Sequence, residues 1–343
     1  MNIDIGSKIK TLRLSKSMTQ EQLAKALHVS AQAVSKWENG SSLPDIQLLP
    51  ALSVTLGTSI DSLFSLTDES RFARIDNMLW DKRFLTQQEF DEEEHFLQEK
   101  CREEETRPRA TLLLAELYCK RAREYNDLAS PLARQALALN LDCKEAHNAI
   151  FDAEHGAYLD WNATNHYRTI AFYQEFLAAH HSAHLWLLDL LIADRRCAEA
   201  REVLDKMHRL KPTYNDDFYL GCILLQEGHT DDALAQWEAM CAKYPDTWEV
   251  YVMRASELAK LAHYDEAIAD YEKAMALMPP PRFVDPAEAI AQICEIRGDY
   301  ETAISYYEKV IAIEKADWHE TQGEAIDAPQ RSIARLREKL ASR

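Results

Sequence analysis

Apolar residues recur at intervals of three and four positions along most of the chain, which is the spacing of one face of an α-helix. Glycine (8) and proline (11) are scarce among the 343 residues, so few positions interrupt this pattern. The pattern predicts an all-α protein. It is sharpest in residues 19–40, TQEQLAKALHVSAQAVSKWENG, where it predicts two short helices joined by a tight turn.

Local signals mark the ends of these two helices. Thr19 is a favourable N-cap, and Gln22 follows three positions later, which is the spacing of a capping box. Ser30 is a favourable N-cap for the second helix, and residues 27–29 form the predicted turn. The predicted contact between the helices is made by Leu23, Ala24 and Leu27 on the first helix and by Val34 and Trp37 on the second.

This pair of helices resembles the helix-turn-helix of the Cro/repressor (Xre-like) class of transcription factors. Ala24 stands at the small-residue crossing, and residues 38–40 (ENG) close the second helix as they do in that class. The resemblance covers residues 1–66 and implies a five-helix, lambda-repressor-like DNA-binding domain. His28 stands where the class usually carries a turn glycine, so we expect a left-handed backbone at a residue that tolerates it.

Three further helices complete this predicted domain. The first helix carries an apolar stripe that starts at Ile5. The fourth is expected to begin at Pro44 and Asp45, to include Ile46 in its apolar stripe, and to end at Gly57. A short fifth helix is expected after a cap at Ser59.

The resemblance also implies which side chains meet DNA. A helix fits the major groove, and the residues near its N-terminal end reach the base edges. Gln32 suits adenine, Lys36 suits guanine or a phosphate, and the Ala31 methyl group suits a thymine methyl group. Gln20 and Asn39 match positions that hold the phosphate backbone. The alternative is a helical hairpin whose polar face is only solvated. The predicted DNA-binding set is Gln20, Ala31, Gln32, Ser35, Lys36 and Asn39.

Charge is distributed unevenly along the chain. The whole chain carries a formal charge of −18, but residues 1–66 carry +1 and the remainder carries −19. Lys8, Lys10, Arg13 and Lys16 are expected to flank DNA phosphates, while the acidic remainder opposes non-specific adhesion. Weak non-specific affinity is therefore predicted, and with it a homodimer that places two domains on double-stranded DNA.

Residues 219–245 and 252–279 align with a constant offset of 34, which pairs Gly221 with Ala255 and Trp237 with Tyr271. This alignment resembles the tetratricopeptide repeat, a helix pair of that length in which small residues stand where the helices cross. The resemblance implies an α-solenoid. It is expected over residues 77–328, after a boundary or connecting helix at residues 67–76.

The flanking units are less regular. Residues 71–104 predict a degenerate first pair, residues 115–136 a pair with a short insertion, and residues 146–180 a pair with a longer insertion. About six or seven helix pairs are therefore expected. The amphipathic stretch within residues 329–343 is expected to cap the solenoid, to form a dimer contact, or to do both.

An Xre-like head joined to such repeats resembles the peptide-sensing regulators of Gram-positive bacteria, in which the repeat groove binds a short secreted peptide. The resemblance implies a groove that holds a short peptide or a protein partner, and the acidic repeats favour a basic or amine-bearing ligand. Simple solvation is the alternative for each polar candidate in the groove. The candidates for hydrogen bonds to a peptide backbone are Asn148, Asp152, Asp189 and Asn215.

Other patterns argue against further chemistry. The seven cysteines are widely spaced and include no C-x-x-C pair, which argues against a disulfide framework and a zinc site. No run of about 18 apolar residues predicts a membrane helix, and we expect a cytoplasmic protein. No phosphate loop or nucleophile arrangement is recognisable, so we expect neither an enzyme nor a cofactor. The alternative function is a scaffold whose repeats bind another protein.

Three groups of residues invite a specific function but have a simpler interpretation. Residues 180–184 include two histidines one turn apart, but no third metal ligand is evident. The acidic run at residues 91–94 is interpreted as a solvated helix face. Packing between helices is the interpretation for Trp186, Trp237 and Tyr271.

Overall fold

The computed structural model describes residues 5–58, 60, 63, 68–154, 161–176 and 180–342, apart from the side chain of Phe176. Every regular element in these ranges is a helix, so the predicted all-α class is confirmed. The chain divides into two compact units, Met1–Glu124 and Tyr125–Arg343. Among the described residues, the first unit contains two hydrophobic cores and the second contains three.

The first core belongs to the helix-turn-helix region. In it Ile9, Leu23, Val34 and Leu52 are fully buried. The predicted fifth helix lies mostly outside the described residues. The elements of this region are α1 (Ile5–Ser15), α2 (Gln20–Ala26), α3 (Ala31–Glu38), a 3-10 turn (Ile46–Leu48) and α4 (Leu49–Leu56).

The caps and the turn of α2 and α3 are as predicted. The Thr19 hydroxyl accepts a hydrogen bond from the Gln22 N–H (3.2 Å), and the Gln22 side chain accepts one from the Thr19 N–H (2.7 Å). The Ser30 hydroxyl accepts a hydrogen bond from the Ala33 N–H at 3.1 Å. His28 has a φ of 55°, so the left-handed backbone expected at this histidine is confirmed.

The fourth helix begins later than predicted. Asp45 caps the 3-10 turn by accepting a hydrogen bond from the Gln47 N–H at 2.9 Å, and the α-helix begins only at Leu49. Ile46 is 77% exposed, so its predicted place in the apolar stripe is wrong. The physical reason is the tighter winding of a 3-10 turn, which rotates Ile46 away from the buried face. The predicted end at Gly57 is confirmed.

Gly6 permits a very close crossing of α1 over the end of α3. A Cβ atom at this position would lie 1.9 Å from the carbonyl oxygen of Trp37, where no side chain fits. Ala24, the small residue that the sequence singled out, is buried as expected. The close approach at Gly6 was not predicted, because no residue near Gly6 in the sequence indicates it.

The second core of this unit lies among α5 (Asp68–Asp81), α6 (Gln87–Lys100) and the first part of α7 (Arg107–Leu139). Glu93 on α6 is almost fully buried, accepts a hydrogen bond from Arg71 Nε at 2.8 Å, and also pairs with Arg74. The interpretation of residues 91–94 as a solvated face is therefore wrong for Glu93. The α-helical turn directs this one member of the acidic run towards the two arginines of α5.

The helix pair predicted within residues 115–136 is wrong, because α7 is a single helix of 33 residues. Residues 119–128 contain neither glycine nor proline and include no residue that would force a turn. Pro131 lies inside the helix, where it removes one backbone hydrogen bond without ending the element. Small residues at helical spacing also occur within a single continuous helix, so their spacing alone does not indicate the two helices of a repeat.

The second unit contains the regular repeats. In the described residues before them, the segment predicted as a pair over residues 146–180 has only short helices: α8 (Lys144–Ala153), α9 (Trp161–Thr164) and α10 (Tyr167–Phe176). The regular pairs then follow as α11 (His181–Ala193) with α12 (Cys197–Leu210), α13 (Tyr214–Gln226) with α14 (Thr230–Lys243), α15 (Trp248–Lys260) with α16 (Tyr264–Leu277), and α17 (Asp285–Arg297) with α18 (Tyr300–Ile313).

The aligned positions of the repeats are buried where the paired helices cross. Trp237 and Ala255 are fully buried, and Tyr271 is 5% exposed. A Cβ atom at Gly221 would lie 2.2 Å from Nε1 of Trp237, so this repeat needs glycine where the next repeat has Ala255. Trp237 and Tyr271 pack between helices as predicted. Trp186 does not, because it is 61% exposed, and its packing interpretation is wrong.

The last helix, α19 (Glu324–Ala341), begins five residues before the predicted C-terminal segment and contains Pro329. Ile333 and Leu336 are buried in the same core as Tyr307 of α18, so the helix covers the final repeat. Ion pairs join it to that repeat, including Arg335 to Glu295 at 2.8 Å. This is the packing that a solenoid needs at its open end.

Candidate functional site

The first candidate site is the exposed face of α3. Val34 and Trp37 are buried against the rest of the domain, while Gln32 and Lys36 on the opposite face are exposed. Ala31 and Ser35, which complete the predicted base-reading set, are half-buried on the flanks of the helix. The helix therefore presents a short polar surface whose orientation is set by two large apolar anchors.

A buried carboxylate ties the end of α3 to α1 and α2. Glu38 accepts hydrogen bonds from Arg13 Nε at 2.6 Å and from Arg13 Nη2 at 3.0 Å. Gln20 Nε2, at the start of α2, donates to the same carboxylate at 2.8 Å. The Glu38 and Arg13 side chains are only 3% and 8% exposed, so this network is part of the domain interior.

The network shifts the titration of both charged partners. Burial raises the pKa of Glu38, but the hydrogen bonds from Arg13 and Gln20 outweigh it, so the pKa lies below its ordinary value. The hydrogen bond to Glu38 raises the pKa of Arg13. Glu38 is thus held as a carboxylate that fixes three helices of the domain with respect to one another.

This network corrects one expectation and changes another. Arg13 is enclosed by Glu38 and by the Met18 carbonyl, which accepts from Nη1 at 2.5 Å, so it does not flank phosphates as predicted. Gln20 remains half-exposed, but its amide nitrogen already donates to Glu38. A phosphate at Gln20 would have to share that amide or use its second N–H.

Asn39 lies at the C-terminal end of α3, where it is exposed. Its side-chain oxygen accepts a hydrogen bond from the Ser41 N–H at 3.0 Å, so Asn39 also stabilises the loop that follows α3. Lys10 and Lys16 of the predicted phosphate-flanking set are exposed, and Lys8 is half-buried. Glu38 was not among the predicted site residues, because its partners are 18 and 25 positions away in the sequence.

The second candidate site is the predicted ligand set, of which only Asp189 and Asn215 lie on first helices of the regular repeats. Of the four predicted ligand residues, Asn148 and Asp152 lie one turn apart on α8 and are exposed. Asn215 is half-buried at the start of α13. Asp189 on α11 is exposed, and its Oδ1 accepts a hydrogen bond from the Tyr219 hydroxyl of α13 at 2.9 Å. Asp189 is therefore linked directly to the next repeat.

The described residues contain neither a candidate metal-ligand group nor a helix suited to crossing a membrane. Their His, Cys, Asp and Glu side chains include no group of three or more that could hold a metal ion. None of their helices has the length and apolar content that a membrane span requires.

Family models match both parts of the chain. A helix-turn-helix model matches residues 9–63, and a tetratricopeptide repeat model matches residues 219–274 and 252–318. The chain therefore has an Xre-like helix-turn-helix domain near its N-terminus and tetratricopeptide repeats towards its C-terminus. The resemblances that the two sequence patterns suggested are confirmed.

Curated relatives share the N-terminal domain. The chain is 37% identical over 75 residues to the HTH-type transcriptional activator BcrR of Enterococcus faecalis, covering 22% of this chain and 37% of that protein. It is 45% identical over 58 residues to the HTH-type transcriptional regulator DicA of Escherichia coli, covering 17% of this chain and 43% of that protein. The matched region thus spans less than half the length of either relative.

Among solved structures, the chain is similar to PlcR of Bacillus thuringiensis, which was solved in complex with the peptide PapR7 and DNA. The likeness covers 88% of this chain and 99% of that chain, at 13% sequence identity and a TM-score of 0.24.

Proposed function

We propose that this protein is a sequence-specific, DNA-binding transcriptional regulator that acts as a homodimer and whose repeats bind a peptide or another small ligand. The observation that carries the proposal is the exposed polar face of α3, held in place by Val34, Trp37 and the Glu38 network. A recognition surface has to be exposed and held in a fixed orientation, and the buried anchors and the Glu38 network supply the second requirement here.

DNA recognition would proceed through two kinds of contact. The N-terminal part of α3 enters the major groove, where Gln32 donates to and accepts from adenine and Lys36 donates to guanine or to a phosphate. Gln20 and Asn39, at the two ends of the hairpin, bind the phosphate backbone and fix the register of α3 on the duplex. The relatives that share this domain are transcriptional regulators by name, which supports the proposal.

The need for two copies of the DNA-binding domain follows from the small net charge of a single domain. One domain with a net charge of about +1 on a strongly acidic chain gains little from phosphate neutralisation, so a single domain would bind weakly. Two domains on two half-sites add their binding free energies and select DNA with two-fold symmetry. We therefore expect the functional species on DNA to be a homodimer.

The repeats supply the sensing part of the proposal. Successive first helices α11, α13 and α15 contact one another in order, as in a stacked solenoid whose curved surface can bind an extended ligand. Binding there would regulate the dimer and thereby its affinity for DNA. The second candidate is a scaffold that binds a protein partner, which is favoured by large exposed side chains such as Trp161 and Trp186.

The test is selection of DNA by the purified full-length protein from a random pool, followed by binding of variants to the selected site. Gln32→Ala should weaken binding to the preferred site by about 1–3 kcal/mol and relax base preference at one position, since a bidentate base contact is lost. Asn39→Ala should weaken binding to all sites alike, because it removes a phosphate contact.

Gln135→Ala, which removes an exposed glutamine from α7, is the matched control and should leave DNA binding unchanged. If Gln32→Ala binds the selected site with unaltered affinity and base preference, α3 is not the recognition helix. If the folded wild-type protein enriches no DNA at all, the scaffold function takes precedence.

A further inference from the structure

The first helices of the four regular repeats carry a row of residues at one equivalent position, where two are exposed, one is half-buried and one, Cys222, belongs to a buried core. Each residue directly follows the small or apolar residue at which the paired helices cross. One residue corresponds to a rotation of about 100° around a helix, so this position lies beside the crossing face, where Ser256 still contacts Tyr271 of its own partner helix at 3.0 Å. The row consists of Asp189 on α11, Cys222 on α13, Ser256 on α15 and Gln292 on α17.

Asp189 is the charged member of this row, and it has no direct cationic partner. Its Oδ1 accepts a hydrogen bond from the Tyr219 hydroxyl at 2.9 Å, and that hydroxyl also lies 3.3 Å from the Leu185 carbonyl oxygen. Within the part of the chain that the structure describes, no lysine, arginine or histidine nitrogen forms an ion pair with Asp189. Tyr219 therefore orients the carboxylate but does not neutralise it.

An ion pair from a more distant repeat stands near Asp189. Lys260 Nζ on α15 lies 2.6 Å from Glu257 Oε1, and Glu257 is 9% exposed. Burial raises the pKa of Asp189, and the nearby Glu257 raises it further. The hydrogen bond from Tyr219 and the charge of Lys260 lower it, and the net shift is upwards. Charged groups of α11 and α15 thus affect each other's titration, although one repeat, α13 with α14, separates them along the chain.

The position of Asp189 differs from that of an ordinary surface aspartate. Its side chain is open to solvent, yet the surrounding protein disfavours its charge. This combination is expected for a carboxylate between neighbouring helices, where protein lies on several sides and one side stays open. Asp189, Glu257 and Lys260 carry one net negative charge, and Lys260 is already paired with Glu257.

We propose that Asp189, oriented by Tyr219, is the seat for a positively charged group of a peptide ligand, namely a lysine or arginine side chain or a free amino terminus. The inference rests on the proposed function, since it names the chemistry of the ligand for the same repeats. A cation there forms a charge-assisted hydrogen bond to the unpaired carboxylate. Gln292, which is exposed at the equivalent position of α17, carries an amide that both donates to and accepts from a peptide backbone.

The experiment presents a random pool of synthetic heptapeptides to immobilised full-length protein and identifies the retained peptides by mass spectrometry. The wild-type protein should enrich peptides that contain lysine or arginine, and high salt should reduce this enrichment. Asp189→Asn keeps the acceptor for Tyr219 and removes the charge, so the enrichment of cationic residues should fall about tenfold. A second pool with acetylated amino termini separates a side-chain cation from a terminal amine.

Two further variants make the result specific to this position. Asp246→Asn removes an equal charge from the exposed turn between α14 and α15, and it should retain wild-type enrichment. Asp189→Lys should reverse the preference, so that peptides rich in aspartate and glutamate are retained. Thermal unfolding of each variant establishes that its repeats are folded.

The possible outcomes separate this inference from the proposed function. Retention of peptides without a cationic preference, or with the same preference in wild type and Asp189→Asn, overturns the inference and leaves peptide binding intact. Retention of no peptide by the folded wild-type protein overturns peptide binding, and this inference with it. Loss of the cationic preference in Asp189→Asn but not in Asp246→Asn supports the inference.

Discussion

Gly6 in the helix-turn-helix region and Gly221 in the repeats both stand where a second element approaches too closely for a Cβ atom. At Gly6 the obstacle is main chain, since the Cβ would lie 1.9 Å from the Trp37 carbonyl oxygen. At Gly221 the obstacle is a side chain, since the Cβ would lie 2.2 Å from Nε1 of Trp237. A side chain can be exchanged by substitution, whereas main chain cannot.

The repeats themselves demonstrate this difference. The next repeat has Ala255 in place of Gly221 and Tyr271 in place of Trp237, and both of its residues are buried. The tryptophan donates to the Phe218 carbonyl at 3.1 Å, whereas the hydroxyl groups of Tyr271 and Ser256 lie 3.0 Å apart. In these two repeats the small crossing residue and the large residue that packs against it differ together. At the crossing of α1 and α3 no such exchange is available, because the obstacle to a Cβ atom at Gly6 is main chain.

The largest effect is expected for Gly6→Ala. Alanine normally stabilises a helix relative to glycine, but here the backbones of α1 and α3 must separate, so we expect the domain to be destabilised by about 3 kcal/mol. Hydrogen exchange in peptides from residues 5–58 measures this effect in the full chain, and DNA binding should be lost in parallel.

Thr11→Ala is the control for Gly6→Ala, because Thr11 is an exposed residue of the same helix. Thr11→Ala should change the free energy of opening residues 5–58 by less than about 0.5 kcal/mol. Unchanged or slower exchange in Gly6→Ala would mean that the two helices separate without cost, and the contrast with Gly221 would disappear.

A smaller effect, which a second substitution should compensate, is expected for Gly221→Ala. Overpacking against Trp237 should destabilise the repeats by about 1–3 kcal/mol. The double variant Gly221→Ala, Trp237→Tyr recreates the pair found in the next repeat, so it should be more stable than the sum of its single changes predicts, by at least about 1 kcal/mol. Urea unfolding of the four proteins in this cycle measures the coupling.

Adding Cys222→Ser to the double variant supplies the hydroxyl group that Ser256 offers to Tyr271 in the next repeat. This third substitution should raise the free energy of unfolding further towards the wild-type value. Strictly additive effects of Gly221→Ala and Trp237→Tyr would refute the idea that the two positions compensate for each other.

The smallest effect concerns pH, and it tests whether an ion pair also holds α1 against α3. The pKa of Glu38 in the folded protein is below its ordinary value, so the carboxylate contributes stability that is present above that ordinary value. The contribution is lost as pH falls through the folded pKa. Between about pH 6 and about pH 4, the free energy of opening residues 5–58 should therefore fall by less than about 1 kcal/mol on account of Glu38.

Hydrogen exchange corrected for intrinsic pH effects measures this change, with Glu38→Gln as the reference, since its decline with acid should be shallower. Parallel pH profiles for wild type and Glu38→Gln would show that the main-chain fit at Gly6 alone holds the crossing.

Features encoded within a few residues could be predicted from the sequence. The capping box of Thr19 and Gln22, the left-handed turn at His28 and the repeat offset of 34 are local or periodic signals, and the structure contains all three. Contacts between distant positions could not be predicted. The sequence does not show that Gly6 meets Trp37, or that Glu93 turns towards Arg71.

The candidate sites divide in the same way. The exposed face of α3 follows from the helical period, since Val34 and Trp37 determine which face is buried. The hydrogen bond from Gln20 to Glu38 depends on how α2 and α3 cross, and it changes what Gln20 has to offer a phosphate. The error in residues 115–136 has another cause, because small residues at helical spacing occur in continuous helices as well as in helix pairs.

The two exposed residues of the row have a consequence for how this protein can evolve. Asp189 and Gln292 are exposed, whereas the crossing residues that precede them, Leu188 and Ala291, are fully buried. Single codon changes at these two exposed positions can therefore alter ligand preference while the solenoid stays folded. Lineages that descend from one such protein would diverge fastest at these positions, so that paralogues in one genome could respond to different signals through an almost unchanged scaffold.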